Sequence, residues 1–251
     1  MKNKFLVFTG IFSLFLGSCA PDRDDAASKV ERIPFVEELL AEMTLEEKVG
    51  QMAQITLNVV TKGPDVFTAY EPAELNMDSL RKALVEYGVG SILNTANNRA
   101  RTLEVWHSII SQVQDVAINE TRLGIPVLYG IDAIHGTTYT AGATFFPQQI
   151  GQAATFNPEL VRRAAEITAY ETRASGIPWN FSPVLDIGRD PRWPRTWETF
   201  GEDVYLTKVL GAAMVRGYQG DDNDVSNPYR VAACGKHFLG YSVPVSDRKS
   251  T

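Results

Sequence analysis

From residue 34 onward, the sequence alternates between short apolar runs and longer stretches with helical periodicity. Apolar runs bounded by Gly, Pro or Asn, as is typical of buried strands, occupy residues 89–94, 126–132, 179–187 and 230–238. Strands that alternate with helices at this spacing form βα units, and βα units form a parallel sheet. The alternation therefore predicts either a (β/α)8 barrel or a doubly wound α/β layer.

The stretches between and before these runs carry apolar residues three and four positions apart. This period predicts helices over residues 34–43, 45–52, 103–121, 157–176 and 204–220. Thr44, followed three residues later by Glu47, forms a capping box at the start of the second helix. Asn157 is the expected N-cap of the fourth helix, and Gly176 is expected to end it.

Ionisable side chains lie at the carboxyl ends of three predicted strands, at Asp132, Asp186 and the adjacent pair Lys236 and His237. A (β/α)8 barrel builds its active site at this edge. A doubly wound sheet also binds ligands there, but the sequence has no G-x-G-x-x-G or phosphate-binding loop that would indicate a nucleotide. We therefore predict an α/β fold and favour the (β/α)8 barrel over the doubly wound sheet.

Composition and charge exclude several classes of protein. The 251 residues include 24 Lys and Arg against 30 Asp and Glu, for a formal net charge of −6, and 44% of them are hydrophobic. This balance suits a globular domain and excludes disordered and collagen-like chains. Nucleic-acid binding depends on clustered Lys and Arg, and no basic block occurs in the sequence, so we expect no nucleic-acid partner.

The N-terminus has the features of an export signal. Two lysines precede the apolar run FLVFTGIFSLFLG, which ends two residues before Cys19. The stretch LGSC resembles the lipobox of bacterial lipoproteins, in which cleavage leaves the cysteine as the lipid-bearing first residue; an ordinary secretory signal is the alternative. We expect a signal peptide over 1–18, a polar tether over 19–33 and a folded domain over 34–251. We therefore expect the chain to be exported and anchored to a membrane by lipid on Cys19, in the periplasm or at the outer surface of a bacterial cell.

Cysteine and histidine usage indicates neither a disulfide nor a metal site. Cys234 is the only cysteine besides Cys19, and its apolar surroundings favour a small buried core residue over a nucleophile. The histidines are His107, His135 and His237, and no two of them have ligand spacing on one element. We expect no metal and no cofactor, and a structural role for His107 in its amphipathic helix.

Two motifs at the strand ends combine charge with glycine. YGIDAIHG places Asp132 just past a buried strand, where it either caps backbone amides in a tight turn or faces a ligand. ACGKHFLGYS places Lys236 and His237 at the end of another apolar run. Burying two ionisable groups costs several kcal/mol unless each is paired. A pocket that contains carboxylates therefore explains this pair better than packing does.

The stretch GRDPRWPRTWETFGED, residues 188–203, concentrates arginine, tryptophan and carboxylates just after Asp186. Two roles are open for the arginines of this stretch, Arg189, Arg192 and Arg195. They form solvated ion pairs, which contribute little to stability, or they face a ligand. Two prolines stiffen this loop, and its two tryptophans offer apolar faces. Guanidinium forks and indole faces suit sugars, which present hydroxyls at their edges and C–H groups on their faces.

Together these motifs resemble glycoside hydrolase family 3. MTLEEKVGQM, YGIDAIHG, NFSPVLDIGRDPRWPRTWETFGED and GKHFLGYS are similar, in order and spacing, to the N-terminal barrel domain of the family's β-glucosidases. The resemblance implies that Asp132, Arg195, Lys236 and His237 bind the hydroxyls of a terminal, non-reducing glucose unit. Pro194 stands where the family usually has glycine before this arginine.

The resemblance also implies a substrate. Leu239, Gly240 and Tyr241 follow the Lys-His pair where the family's N-acetylhexosaminidases carry a Pro-Gly-His-Gly loop, so glucose is the expected sugar. The implied activity is that of an exo-acting β-glucosidase that releases terminal β-D-glucose from oligo- or polysaccharides by a retaining mechanism. A non-catalytic sugar-binding lipoprotein and a β-xylosidase of the same family are the alternatives. Trp193 is expected to help form the neighbouring subsite.

A retaining mechanism needs two carboxylates about 5 Å apart. In the family, the nucleophile lies well beyond the Lys-His motif and the acid comes from the following domain, so the resemblance places both beyond Thr251. We therefore assign no catalytic residue within the chain. The resemblance also implies a partial (β/α)8 TIM-like barrel, with about five of the eight strands in this chain. We expect an N-terminal fragment of a longer enzyme, inactive and poorly stable alone because open sheet edges expose its core.

Overall fold

The computed structural model describes residues 33–238 and 241–243. Cys19, the predicted signal peptide and all but the last residue of the predicted tether lie outside the described residues. The chain divides into two units, residues 1–42 and 43–251. In the described part of the first unit, α1 (Pro34–Glu42) has no buried side chain. None of the helices described is long and apolar enough to cross a membrane.

The second unit contains six α-helices in its described part: α2 (Leu45–Gln51), α3 (Met77–Arg81), α4 (Leu103–Asn119), α5 (Gln149–Ala153), α6 (Pro158–Ala174) and α7 (Val204–Gln219). The capping box of α2 is confirmed, because Thr44 Oγ1 accepts from the Glu47 backbone N–H at 3.2 Å and a Glu47 carboxylate oxygen accepts from the Thr44 N–H at 2.8 Å. Asn157 caps α6, and Gly176 follows it with a φ of 83°. The short helices α3 and α5 were not predicted.

The described residues contain one sheet of five parallel strands: β1 (Gln54–Thr56), β2 (Ser91–Leu93), β3 (Leu128–Ile131), β4 (Trp179–Asn180) and β5 (Ala232–Ala233). The strands lie side by side in sequence order. A doubly wound sheet reverses its strand order at a switch point, whereas each strand of a (β/α)8 barrel pairs with the one before it. The order therefore confirms the predicted partial barrel.

The last two strands are shorter than predicted. β4 ends at Asn180, and Pro183 lacks the N–H that a continuous ladder requires. Parallel pairing resumes at an isolated bridge between Val184 and Lys236, where the Lys236 N–H donates to the Pro183 carbonyl at 3.0 Å. This second contact holds the segment before Asp186 beside the segment after β5.

β1 was not predicted because its three residues are too few to show a period.

The long loop after β1 is held against the segment before α4 by an ion pair between Glu71 and Arg101, with N–O distances of 2.7 and 2.9 Å. Arg101 is buried, at 8% exposure. Its hydrogen bonds lower the pKa of Glu71 to about 2. The pair joins segments 30 residues apart.

Two hydrophobic clusters form the core of the described part of this unit. The first includes Trp106 of α4, Ile92 of β2 and Tyr129 of β3. The second packs α6 against α7, which approach so closely that a Cβ at Gly217 would lie 2.6 Å from the Ala165 Cβ. Cys234, predicted as a buried core residue, is only half-buried. It follows β5, the last strand of the described sheet, where no further described strand covers it.

Candidate functional site

The carboxyl edge of the sheet brings Asp132 and Lys236 together. Asp132 directly follows β3, Lys236 lies three residues after β5, and the Lys236 Nζ is 2.5 Å from Asp132 Oδ1. The lysine side chain is 14% exposed. Because β3 and β5 flank β4, the pair spans the end of β4. The pairing offsets the burial cost that argued against a packing role for Lys236.

Asn94, just after β2, holds the other carboxylate oxygen of Asp132. Its Nδ2 donates to Asp132 Oδ2 at 2.8 Å, and its Oδ1 accepts from the Asp132 backbone N–H at 2.8 Å. Nearby, burial and then the negative charge of Asp132 raise the pKa of the Tyr139 hydroxyl. Asn94 was not predicted as a site residue. Its place at the carboxyl end of a strand is the signal that could have found it.

Asp186 orients the second member of the Lys-His pair. Its Oδ2 lies 2.7 Å from His237 Nδ1 and accepts from the His237 backbone N–H at 3.3 Å. The Asp186 side chain is only 3% exposed. A carboxylate oxygen accepts, so Nδ1 carries the hydrogen and the opposite ring nitrogen, Nε2, is left for a ligand. Asp186 was predicted at a strand end but given no role; it supports His237.

Arg195 is half-buried and held within its own loop by Glu198. Two parallel hydrogen bonds of 2.8 and 2.5 Å join the guanidinium to the Glu198 carboxylate. A third bond, of 3.3 Å, runs to the Tyr241 hydroxyl. The hydrogen bonds to Glu198 are the main reason why the pKa of Arg195 is raised. Of the five guanidinium N–H groups, these bonds use three and leave two for a ligand.

Tyr241 connects the arginine loop with the Lys-His pair. Its ring lies 5.4 Å below the Arg195 guanidinium and 4.7 Å from the imidazole of His237. The Trp193 ring meets Tyr241 edge-on at 5.6 Å and is 2% exposed. The prediction that Trp193 faces a sugar subsite is wrong for this structure, because the indole is packed under Tyr241. Trp197, at 49% exposure, is the accessible tryptophan of the loop.

All four predicted site residues therefore belong to one connected set. Asp132 contacts Lys236, Lys236 is adjacent to His237, and Tyr241 joins His237 to Arg195. The set presents a carboxylate, an ammonium, an imidazole nitrogen and part of a guanidinium. Such a mixture of acceptors and donors suits a neutral ligand with many hydroxyls, because each hydroxyl can both donate and accept.

The other residues singled out by the sequence have local roles. Arg189 is exposed, and Arg192 pairs with Asp190 inside the loop, which lowers the pKa of that carboxyl to about 2. His107 Nε2 lies 2.7 Å from the Ala174 carbonyl, a structural contact as predicted, and His135 Nδ1 lies 3.0 Å from the Phe146 carbonyl. No group of three or more His, Cys, Asp or Glu side chains within 33–238 and 241–243 is arranged to hold a metal ion.

Known proteins resemble this chain along most of its length. A lysosomal beta glucosidase of Dictyostelium discoideum is 40% identical over 230 residues, 88% of this chain. A periplasmic beta-glucosidase/beta-xylosidase of Dickeya chrysanthemi is 32% identical over 222 residues, 84% of this chain. A beta-glucosidase from Listeria innocua, solved in complex with glucose, superposes with a TM-score of 0.64 at 34% identity, covering 83% of this chain and 27% of that chain.

The chain is much shorter than these relatives. It covers 27% of the Dictyostelium protein and 32% of the Dickeya protein. Residues 44–250 match the model of the glycosyl hydrolase family 3 N-terminal domain, which includes the described strands and all four predicted site residues. The chain therefore belongs to glycosyl hydrolase family 3.

Proposed function

We propose that this chain forms the glucose-binding part of an exo-acting β-glucosidase, which releases terminal non-reducing β-D-glucose from oligo- or polysaccharides. The observation that carries the proposal is the connected set of Asp132, Lys236, His237 and Arg195 at the sheet edge. These four residues are held by partners in the segments that follow β2, β3, β4 and β5 and in the arginine loop. A preformed set loses little conformational entropy on binding. The glucose-bound relative from Listeria supports the same sugar class.

Each group has a distinct part in this proposal. Asp132 accepts hydrogens from two neighbouring hydroxyls through the lone pairs that Asn94 and Lys236 leave open. Lys236 donates its remaining N–H groups, and Arg195 donates from the two N–H groups that Glu198 and Tyr241 do not use. His237 accepts through Nε2. Together these groups hold the sugar ring through hydrogen bonds to its hydroxyls, because the sugar itself carries no charge.

The chemistry that such a pocket serves is a retaining displacement. A carboxylate attacks the anomeric carbon while an acid protonates the leaving oxygen, with the two carboxyls about 5 Å apart. We assign neither role to a residue of this chain. Its groups orient the sugar, and correct orientation lowers the barrier by making the attack effectively intramolecular.

The proposal extends to export and to a lipid anchor at Cys19. Its support is the basic, apolar and small-residue order of residues 1–19 and the periplasmic designation of the Dickeya relative. Expression in a bacterium with radioactive palmitate tests the anchor. We expect label on the wild type and none on Cys19→Ala, and an unlabelled wild type would leave only an ordinary secretory signal.

Titration of the purified chain with D-glucose, followed by calorimetry, tests the sugar assignment. We expect saturable glucose binding that Asp132→Ala weakens roughly 10- to 150-fold, and weaker binding of D-galactose, which reverses one hydroxyl. D-xylose, which lacks the C6 hydroxymethyl group, decides between glucoside and xyloside specificity. No binding of any of the three sugars by a chain that still unfolds cooperatively in urea, and is therefore folded, would refute the proposed function. Equal affinity for glucose and galactose would show that the connected set does not distinguish the orientation of that hydroxyl.

The same preparation tests the prediction that the chain alone is inactive. We expect sugar binding without hydrolysis of a nitrophenyl β-glucoside. Hydrolysis that Asp132→Ala removes would show that the chain contains its own nucleophile and acid.

A further inference from the structure

Asn94 makes more contacts with the end of β3 than a turn residue requires. Its backbone has a φ of 57°, in the left-handed region. Its N–H donates to the Gly130 carbonyl at 2.9 Å, and its carbonyl accepts from the Tyr129 hydroxyl at 2.6 Å. With its two side-chain bonds to Asp132, four hydrogen bonds join this residue to β3 and the residue after it.

The side-chain amide matches Asp132 at two points. Its oxygen accepts from the Asp132 backbone N–H, and its nitrogen donates to Asp132 Oδ2, each at 2.8 Å. Lys236 holds the other oxygen, Oδ1. A carboxylate with one donor on each oxygen cannot rotate freely, and it keeps about two lone-pair sites for a ligand.

We propose that Asn94 is a positioning residue: it fixes the carboxylate plane of Asp132 so that this group can bind two sugar hydroxyls. The inference deepens the proposed function, on which it rests for the identity of the ligand. Asn94 acts through Asp132, because the hydrogen bonds of its side chain to that residue use both polar ends of its amide.

The geometry explains why asparagine fits this position. Glycine adopts the left-handed backbone equally well but brings no side chain. Aspartate is the same size, but it places a second carboxylate oxygen beside Asp132 Oδ2, where like charges repel. A residue needed only for its backbone would tolerate both replacements. A positioning residue tolerates neither.

Calorimetric titration of the full chain with D-glucose tests this with Asn94→Gly and Asn94→Asp. The matched control is Asn98→Gly, since Asn98 has a φ of 52° on the following loop and an exposed side chain. We expect Asn94→Gly to weaken glucose binding about tenfold, the effect of losing one hydrogen bond to a charged group. Asn94→Asp should bind more weakly still, and Asn98→Gly should match the wild type. Glucose affinity within twofold of the wild type for both Asn94 variants would overturn the inference.

Crystal structures of the same variants give an answer that does not depend on sugar binding. We expect the Asp132 carboxylate to turn about its bond to Lys236, so that Oδ2 leaves its wild-type position, in Asn94→Gly and to stay in place in Asn98→Gly. An unmoved Asp132 in Asn94→Gly overturns the positioning role even if glucose binds. If the wild type binds no sugar while Asp132 moves as expected, the proposed function fails and the positioning of Asp132 stands.

Discussion

The ion pairs of the arginine loop and those of the strand ends differ in what they require of the fold. Arg192 and Asp190 are two residues apart, and the arginine is 68% exposed. Lys236 and Asp132 are 104 residues apart, and the lysine is 14% exposed. The local pair needs only its own turn, whereas the distant pair forms only when β3, β4 and β5 are assembled. Convergence of distant charges at a sheet edge therefore marks a site better than charge density in one loop does.

The Glu71–Arg101 pair should show the largest effect, because it is a distant pair with a buried arginine. Arg101→Ala leaves the Glu71 carboxylate without its main partner. Because that carboxylate is 28% exposed and keeps its bond from Asn97, we expect a loss of about 2–3 kcal/mol, at or below the lower end for a fully buried pair. Urea unfolding measures this loss of stability. A loss of less than about 1 kcal/mol in the free energy of unfolding is what a surface ion pair contributes. Such a result would mean that this distant pair stabilises the fold no more than a local pair does.

The pH dependence of stability sharpens the same point. The pKa of Glu71 is lowered to about 2 in the folded chain, from about 4.5 otherwise. A carboxyl with a depressed folded pKa stabilises above its unfolded pKa, and that stability is lost as pH falls through the folded pKa. The difference in melting temperature between wild type and Glu71→Gln should therefore be full at pH 6, shrink as pH falls below about 4.5, and disappear below about pH 2. A difference that persists at the lowest pH would contradict the ion-pair explanation.

Asp132→Ala should cause the next largest effect, on binding rather than on stability. Removal of a charged hydrogen-bonding group costs about 1.5–3 kcal/mol, which is roughly 10- to 150-fold in glucose affinity. Lys236→Ala should reduce affinity to a similar extent, because it removes donors and frees the Asp132 carboxylate. Calorimetry on both variants and on the double variant checks this. Additive losses would mean that the two residues do not act as a unit.

Two arginines of the same loop give the third comparison. Arg195→Ala should weaken glucose binding about tenfold, since its guanidinium donates hydrogen bonds in the connected set. Arg189→Ala is the matched control, because this arginine is exposed in the same loop. The ratio of their glucose dissociation constants is the measurement. Equal dissociation constants would show that Arg195 is not a sugar-binding residue.

The smallest effect is expected for Arg192→Ala. An exposed local ion pair contributes about 0–1 kcal/mol, so both the free energy of unfolding and glucose affinity should stay near those of the wild type. Urea unfolding and glucose titration of this variant set the baseline for the other comparisons. A loss as large as that of Arg195→Ala would mean that the whole loop, not one arginine, forms the site.

The sequence could predict the elements that periodicity marks and the charges that follow them. Such signals occur in α1, α2, α4, α6 and α7 and at the ends of β3 and β5. Asp132, Lys236 and His237 could therefore be placed from residues alone. Asn94 ends the predicted strand 89–94, so the same rule could have included it, but its pairing with Asp132 could not be predicted because it depends on which strands become neighbours. Tyr241 could not be placed, because its role depends on how the segment after His237 packs. Trp193 was wrongly predicted to face a sugar subsite. A large aromatic residue has the same appearance in a sequence whether its side chain faces a ligand or is buried against another residue, as Trp193 is against Tyr241.

The most direct test of the central claim is a crystal structure of the chain soaked with D-glucose. We expect one glucose at the carboxyl edge of the sheet, with its hydroxyls within hydrogen-bond distance of Asp132, Lys236, His237 and Arg195. Glucose bound elsewhere, or a sheet edge that stays empty at saturating glucose, would contradict the account.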